Sequence, residues 1–160
     1  QCEVCKKFHD QNRGCPVSSV EEYLASKWIN STGFNGEDYL YNYWFAKNHI
    51  RESKTVILCE GCSDIWRLEQ AGIHIGLSLF GAHLTDSQAE KLEKLPIINL
   101  IIAMDNDDAG SKARAIIKEK LWRYYNIFDI VPETKDIGEL SIEQTKEIFN
   151  PLLEKLCPID

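Results

Sequence analysis

At 160 residues the chain is long enough for one domain with a small appendage, and a 44% hydrophobic, 27% charged composition describes a globular unit rather than a disordered one. Its apolar runs reach only about five residues, which excludes a membrane-spanning helix, and the opening QCEVCKKFHD lacks the apolar core of a signal peptide, so a cytoplasmic location is expected. A net charge of −7 excludes nucleic-acid binding by a basic surface alone; metal ions or a basic neighbouring domain have to help.

The chain begins at Gln1, which suggests a piece of a longer protein. Of its six cysteines, Cys59 and Cys62 lie in or beside an apparent core strand and nothing marks secretion, so reduced thiols are expected. Cys2, Cys5, His9 and Cys15 form C-x2-C-x3-H-x5-C, four borderline ligands within fourteen residues. Two readings stay open: a zinc knuckle with tetrahedral coordination, or a redox-inert turn with an exposed His9 and an unrelated Cys15. SSVEEYLASKWI reads as a helix capped by Ser18 or Ser19, and Ser31 to Gly36 as a loop. Glu37 to Glu52 reads as a second helix whose Tyr39, Leu40, Tyr43, Trp44 and Ala46 form a broad face expected in the core.

Thr55-Val56-Ile57-Leu58-Cys59 is fully apolar at its centre, the pattern of a strand buried on both faces in a parallel sheet, and it ends in Glu60-Gly61. A helix from Ser63 to Ala71 follows, with Asp64 in its first turn and Ile65, Trp66 and Leu68 facing inward, stopped by Gly72. Then come a strand from Ile75 to Phe80, a helix opened by Thr85 and running to Leu95 before Pro96, and the second unbroken apolar run, Leu100 to Met104. Asp105, Asp107 and Asp108 follow that run at once. Acids packed so closely repel one another unless protonated or bridged by a cation, and hard oxygen ligands suit Mg²⁺ or Mn²⁺. Alone this Asp-x-Asp is weak, since phosphatases, receiver domains and many nucleotide enzymes also end a hydrophobic strand in Asp.

A helix from about Ala109 to Tyr124, a strand from Ile127 to Val131, the loop Pro132 to Asp136 and a last helix from Ser141 to Glu154 with a break expected at Pro151 complete the chain. Strands alternating with helices at this spacing predict an α/β fold, about four strands in a mostly parallel sheet flanked by helices. All strand carboxyl ends then share one edge, so Glu60 and the Asp105/Asp107 pair face each other if their strands are neighbours. His74 and His83 read as polar loop residues, and Lys112 and Arg114 as solvated helix surface more than phosphate contacts.

One glutamate and an Asp-x-Asp pair, each ending its own strand, resemble the layout of a TOPRIM domain. LYNYWFAKNHIRESKTVILCEGCSDIWRLEQAGI resembles the segment leading into the catalytic glutamate of bacterial and phage DnaG-type primases, through Tyr41-Asn42, Ala46-Lys47, Glu60-Gly61, Asp64 and Ala71-Gly72-Ile73. SLFGAHLTDSQAEKL resembles that family's Gly-x-x-Leu-Thr-x-x-Gln segment, MDNDDAGSKARA its Asp-x-Asp-x-Ala-Gly-x-x-Ala segment, and TKDIGEL its Lys-Asp motif. The resemblance spans roughly Leu40 to Leu140 and implies a TOPRIM fold over 37–140, an N-terminal extension over 1–36 and a C-terminal helix over 141–160.

It further implies nucleotidyl transfer, RNA primers made on single-stranded DNA from nucleoside triphosphates, with a replicative helicase as a candidate partner. Glu60, Asp105 and Asp107 are the implied catalytic and metal-binding acids, Asp136 a further ligand, and Gly61, Asp64 and Lys112 their supports or phosphate contacts. Gly138 stands where such primases often carry another acid, and the first forty residues do not read as the basic subdomain that precedes TOPRIM there. A metal-dependent TOPRIM nuclease and a non-catalytic module docking a replication partner are the alternatives. For the N-terminal ligand set, elemental analysis of the purified chain decides: about one zinc per chain for the knuckle, none for the turn.

Overall fold

The computed structural model describes residues 31–156. The Cys2, Cys5, His9 and Cys15 set and the helix expected over 18–29 lie outside the described residues. Residues Gly36–Asp160 form one compact unit. In chain order it contains a 3-10 turn (Gly36–Asp38), α1 (Tyr43–Ser53), β1 (Thr55–Cys59), α2 (Cys62–Gln70), β2 (Gly76–Ser78), α3 (Asp86–Glu93), β3 (Asn99–Ala103), α4 (Asp108–Leu121), β4 (Asn126–Asp129), a second 3-10 turn (Ile137–Glu139) and α5 (Ile142–Leu156). No helix among the described residues is long and apolar enough to cross a membrane.

The four strands form one sheet in the order β2-β1-β3-β4, every pair parallel. Central position explains composition. β1 and β3 have neighbours on both sides and helices on both faces, and all five residues of each are buried. β4 is an edge strand of exposed and half-buried residues. Right-handed crossovers place α2 on one face of the sheet and α3 and α4 on the other, because the chain steps outward from β1 to β2 and then back past β1 to β3. That reversal makes the β1/β3 boundary the switch point, the place where open α/β sheets leave a crevice beyond their strand carboxyl ends. The register there, Cys59 opposite Ala103, brings Glu60 and Asp105 to this crevice from adjacent strands.

Register at the opposite edge is held by side chains. Thr55, Asn99 and Asn126 lie abreast on β1, β3 and β4, with Asn99 Nδ2 donating to Thr55 Oγ1 at 3.3 Å and Asn126 Nδ2 to Asn99 Oδ1 at 3.2 Å.

Several sequence expectations need correction. The helix expected over Glu37 to Glu52 starts only at Tyr43, because Tyr41 forms an antiparallel bridge to Ser78 on the outer edge of β2 and Asn42 turns the chain at φ +67°. Asn42 holds that conformation by donating from Nδ2 to Glu69 Oε1 and to the Gly76 carbonyl oxygen, at 3.0 and 3.2 Å. The aromatic face splits accordingly. Leu40 and Ala46 are buried, whereas Tyr39 and Trp44 are 54% and 72% exposed, and Trp66 on α2 also faces outward, its Nε1 donating to Tyr41 Oη at 2.8 Å. The strand expected over Ile75 to Phe80 is shortened to Gly76–Ser78, ended by Phe80 at φ +61°. Pro151 does not break α5.

The Thr85/Gln88 pair shows what a Thr-x-x-Gln sequence does at this place. Thr85 Oγ1 accepts from Gln88 N and Gln88 Oε1 accepts from Thr85 N, a reciprocal cap on α3. Gln88 is fully buried, and its Nε2 also reaches the carbonyl oxygens of Gly36, Tyr39 and Leu79 at 2.8–3.2 Å. One amide therefore satisfies the lead-in segment against the sheet. Gln88→Leu strands those carbonyls and breaks the cap, and urea denaturation should show a loss of about 3 kcal/mol, from about 1–3 kcal/mol for each buried polar group left unsatisfied.

Candidate active site

Glu60 leaves β1 with its backbone held from the β2 side: its carbonyl oxygen accepts from Ser78 Oγ at 2.9 Å and from Gly81 N at 3.1 Å. Gly81, at φ +153°, makes this return of the chain easy. The Glu60 side chain is half-buried, and its Oε2 is a buried oxygen with no hydrogen-bond partner among the described residues. Burial, and then the charges of Asp105, Asp107 and Asp64, push its carboxyl up from 4.5 to about 7, against a smaller opposing pull from Lys135. A buried carboxylate oxygen without a donor, in a field of three further carboxylates, fits a hard divalent cation. No three His, Cys, Asp or Glu side chains among the described residues already converge as a ligand cage. The acids share a field, and binding a cation here would need side-chain rotation to complete a coordination shell.

Asp105 and Asp107 are set by the join of β3 to α4. Asp107 is the N-cap of α4, its Oδ1 accepting from Gly110 N at 2.8 Å. Gly110 is required for contact rather than for φ: a Cβ there would lie 2.1 Å from the Asp105 carbonyl oxygen. Arg114, one turn further along α4, donates from Nη1 to the carbonyl oxygens of Met104 and Asp105 at 3.2 and 3.0 Å. It is therefore a clamp on the end of β3, not the solvated surface residue expected from sequence. Its spacing from Gly110 places both on the inward face of α4, along with the buried Ala113 and Ile117, and that periodicity was the available signal. Lys112 is exposed and forms no ion pair among the described residues.

Asp64 is buried and uses both oxygens: Oδ2 accepts from Gly61 N at 2.9 Å, closing the first turn of α2, and Oδ1 accepts from Gly138 N at 3.1 Å. Arg67 donates from Nη2 to the Gly138 carbonyl oxygen at 3.3 Å, so α2 grips both sides of that residue. On its other side the same loop is tied to the acids, since Asn106 N donates to the Lys135 carbonyl oxygen at 2.7 Å. Asp136 caps the second 3-10 turn through Oδ1, which accepts from Glu139 N at 3.0 Å. Asp64 is raised from 3.8 to about 6 by burial and by Asp105 and Asp136, with the Gly61 and Gly138 hydrogen bonds opposing. Asp64 thus feels charge from both Asp105 and Asp136.

A family model described as Toprim-like matches residues 57–141, slightly more than half of the chain. The chain belongs to the Toprim-like family. Among curated proteins it is 33% identical over 143 residues to the DNA primase of Enterococcus faecalis, an alignment covering 86% of this chain and 22% of that protein. Among solved structures, the Aquifex aeolicus primase, in its zinc-binding and RNA polymerase domains, superposes with a TM-score of 0.65 at 32% identity, over 79% of this chain and 32% of that one. A DnaG primase catalytic domain bound to single-stranded DNA shares the fold at TM-score 0.62 and 24% identity, over 81% of this chain and 42% of that one. The chain thus spans about a fifth to two fifths of these relatives.

In this Toprim-like site two carboxyls ionise only at cost. Their pKa values are raised on folding, so their contribution to stability is complete below about pH 4 and is lost as pH rises through about 6 and 7. Without divalent ions, the melting temperature should therefore fall between pH 5 and pH 8 by less in Glu60→Gln than in the parent chain. Equal slopes measured by calorimetry contradict the crowding of Glu60.

Proposed function

We propose that this chain is the Toprim catalytic segment of a DNA primase, carrying out Mg²⁺- or Mn²⁺-dependent nucleotidyl transfer that builds RNA primers on single-stranded DNA. Family membership and the identity to primases over most of the chain support the assignment. The observation that carries the chemistry is Glu60, a carboxylate with an unpartnered buried oxygen, brought beside Asp105 and Asp107 at the sheet's switch point. We assign residues 1–36 to an N-terminal extension, 37–140 to the Toprim domain with its lead-in helix, and 141–160 to a C-terminal helix. Zinc at Cys2, Cys5, His9 and Cys15, a replicative helicase as partner and a cytoplasmic setting belong to the same proposal.

In this reading Glu60, Asp105 and Asp107 hold the divalent ion, with Asp136 as a further ligand from the adjoining loop. The bound ion supplies neutralisation of the triphosphate and of the charge developing on departing pyrophosphate. The chain's own residues do the rest. Glu60 is the candidate base for the proton of the attacking 3′-hydroxyl; its carboxyl is pushed up to about 7 in the metal-free chain, and a bound cation would favour the ionised form that accepts a proton. Asp64 fixes the Glu60-Gly61 turn through the Gly61 N–H and secures the Asp136 loop through Gly138. Arg114 keeps the carbonyl end of β3, and so Asp105, from drifting under its own repulsion. Lys112, exposed on the second turn of α4, is free to meet phosphate.

Asp107→Asn separates ligand from cap. Asparagine caps a helix about as well as aspartate, and losing one negative charge relieves repulsion, so the metal-free melting temperature should hold or rise. The amide is a poorer ligand for a hard cation, and primer synthesis by the full-length protein on single-stranded DNA should fall by roughly 10²-fold or more, as when preorganised electrostatic stabilisation is removed. Calorimetric Mn²⁺ titration should weaken in parallel. A variant that still binds Mn²⁺ and makes primers near the parent rate overturns the assignment.

A further inference from the structure

Imidazole and carboxylate side chains also gather at the opposite, amino-terminal edge of the sheet, away from the acids. A cleft of about 860 Å³ opens there between α1, the α2–β2 loop and α5, walled by His49, Glu52 and His74 with Ile73, Ile75 and Leu153 among its apolar residues. The rings of His49 and His74 lie 5.1 Å apart between centroids, tilted by 37°. His74 Nδ1 is 2.5 Å from Glu69 Oε2, and Glu69 Oε1 accepts from Asn42 Nδ2 at 3.0 Å, so this carboxylate is engaged at both oxygens.

We propose that His49 and His74 form a zinc site, with Glu69 orienting His74 from behind. A carboxylate on Nδ1 holds the proton there and leaves the Nε2 lone pair outward as a ligand, which is the usual support of a zinc-bound imidazole. The separation matches as well. With zinc–nitrogen bonds of about 2.0–2.1 Å and tetrahedral angles, two imidazole rings on one ion have centroids roughly 5 Å apart. Two nitrogens select a borderline ion such as Zn²⁺ over Mg²⁺, so the two edges of the sheet sort metals by donor type, oxygen at one and imidazole at the other. Because no third His, Cys, Asp or Glu converges with them among the described residues, water fills the remaining positions. The ion would staple α1 to the α2–β2 loop.

The test is a Zn²⁺ titration of the whole chain at pH 7.5, without Mg²⁺, followed by imidazole ¹⁵N resonances, which report these histidines separately from any zinc taken by the N-terminal cysteines. The Nε2 resonance of His74 and a ring nitrogen of His49 should shift together and saturate. His49→Ala and His74→Ala should each abolish the shared transition, and Glu69→Gln should weaken it by about 10–100-fold, as loss of an outer hydrogen-bond partner does. His49 is exposed, so its variant keeps the fold. Resonances that stay in place as zinc is added, or a His74 transition with the same midpoint in His49→Ala, overturn the site.

Discussion

The parallel pairing of β1 with β3 is the constraint from which the rest of this molecule follows. It puts two strand ends that carry acids next to each other, Glu60 from one and Asp105 and Asp107 from the other, at the point where the crossovers diverge. Like charges so placed oppose folding, and hydrogen bonds fix the backbone and side chains around them. Arg114 holds carbonyl oxygens at the end of β3, Asp107 takes the Gly110 N–H, and Asp64 takes two N–H groups. What remains unanswered is Glu60 Oε2. Its isolation costs stability in the metal-free chain and is what a cation would relieve, which is why the proposed ion is placed on this oxygen.

The fold was legible because its central strands are legible. Residues 56–59 and 100–103 are apolar without a polar face, which only a strand covered on both sides tolerates, and their alternation with helices leaves a parallel sheet as the natural arrangement. The acids were legible for the same reason, as the first polar residues after such strands. Failures came where a distant contact overrides local pattern. Helical spacing across Tyr39–Tyr43 is real, yet Tyr41 pairs with Ser78 and Asn42 adopts a left-handed turn stabilised by Glu69 and Gly76, partners 27 and 34 residues away. Trp44 and Trp66 obey hydrophobic spacing and still face outward, because the inward positions of α1 and α2 are filled by Ala46, Ile50, Ile65 and Leu68.

Arg114 illustrates a different limit. A single arginine on a charged helix reads as surface, and only the strand end beneath it reveals two carbonyl oxygens within reach. Gly110 makes that approach possible. Its missing Cβ lets α4 settle against the Asp105 backbone, so the glycine that ends the Asp-x-Asp-x-x-Gly pattern is explained by packing and not by turn conformation. Asp107 is the N-cap of that helix, and the ligand role proposed for it asks for the same oxygen chemistry as the cap.

Gly138 carries the same reasoning to the margin of the site. A side chain there would place its Cβ 3.0 Å from Ser63 Cβ and 3.1 Å from Asp136 Oδ1, and an acid would add a carboxylate beside Asp136 and Asp64. Glycine avoids both and frees its peptide groups for α2, whose Asp64 and Arg67 hold the N–H and the carbonyl oxygen. Where an acid at this position would give a loop that offers charge, this chain has a loop that is fastened, with the Asp136 charge felt at Asp64. The fastening also presents Lys135 to the field of Glu60 while its carbonyl oxygen stays bound to Asn106. A reduced acid count at 138 is therefore coherent with the proposal that places a divalent ion on Glu60, Asp105 and Asp107, with the neighbouring loop contributing order more than charge.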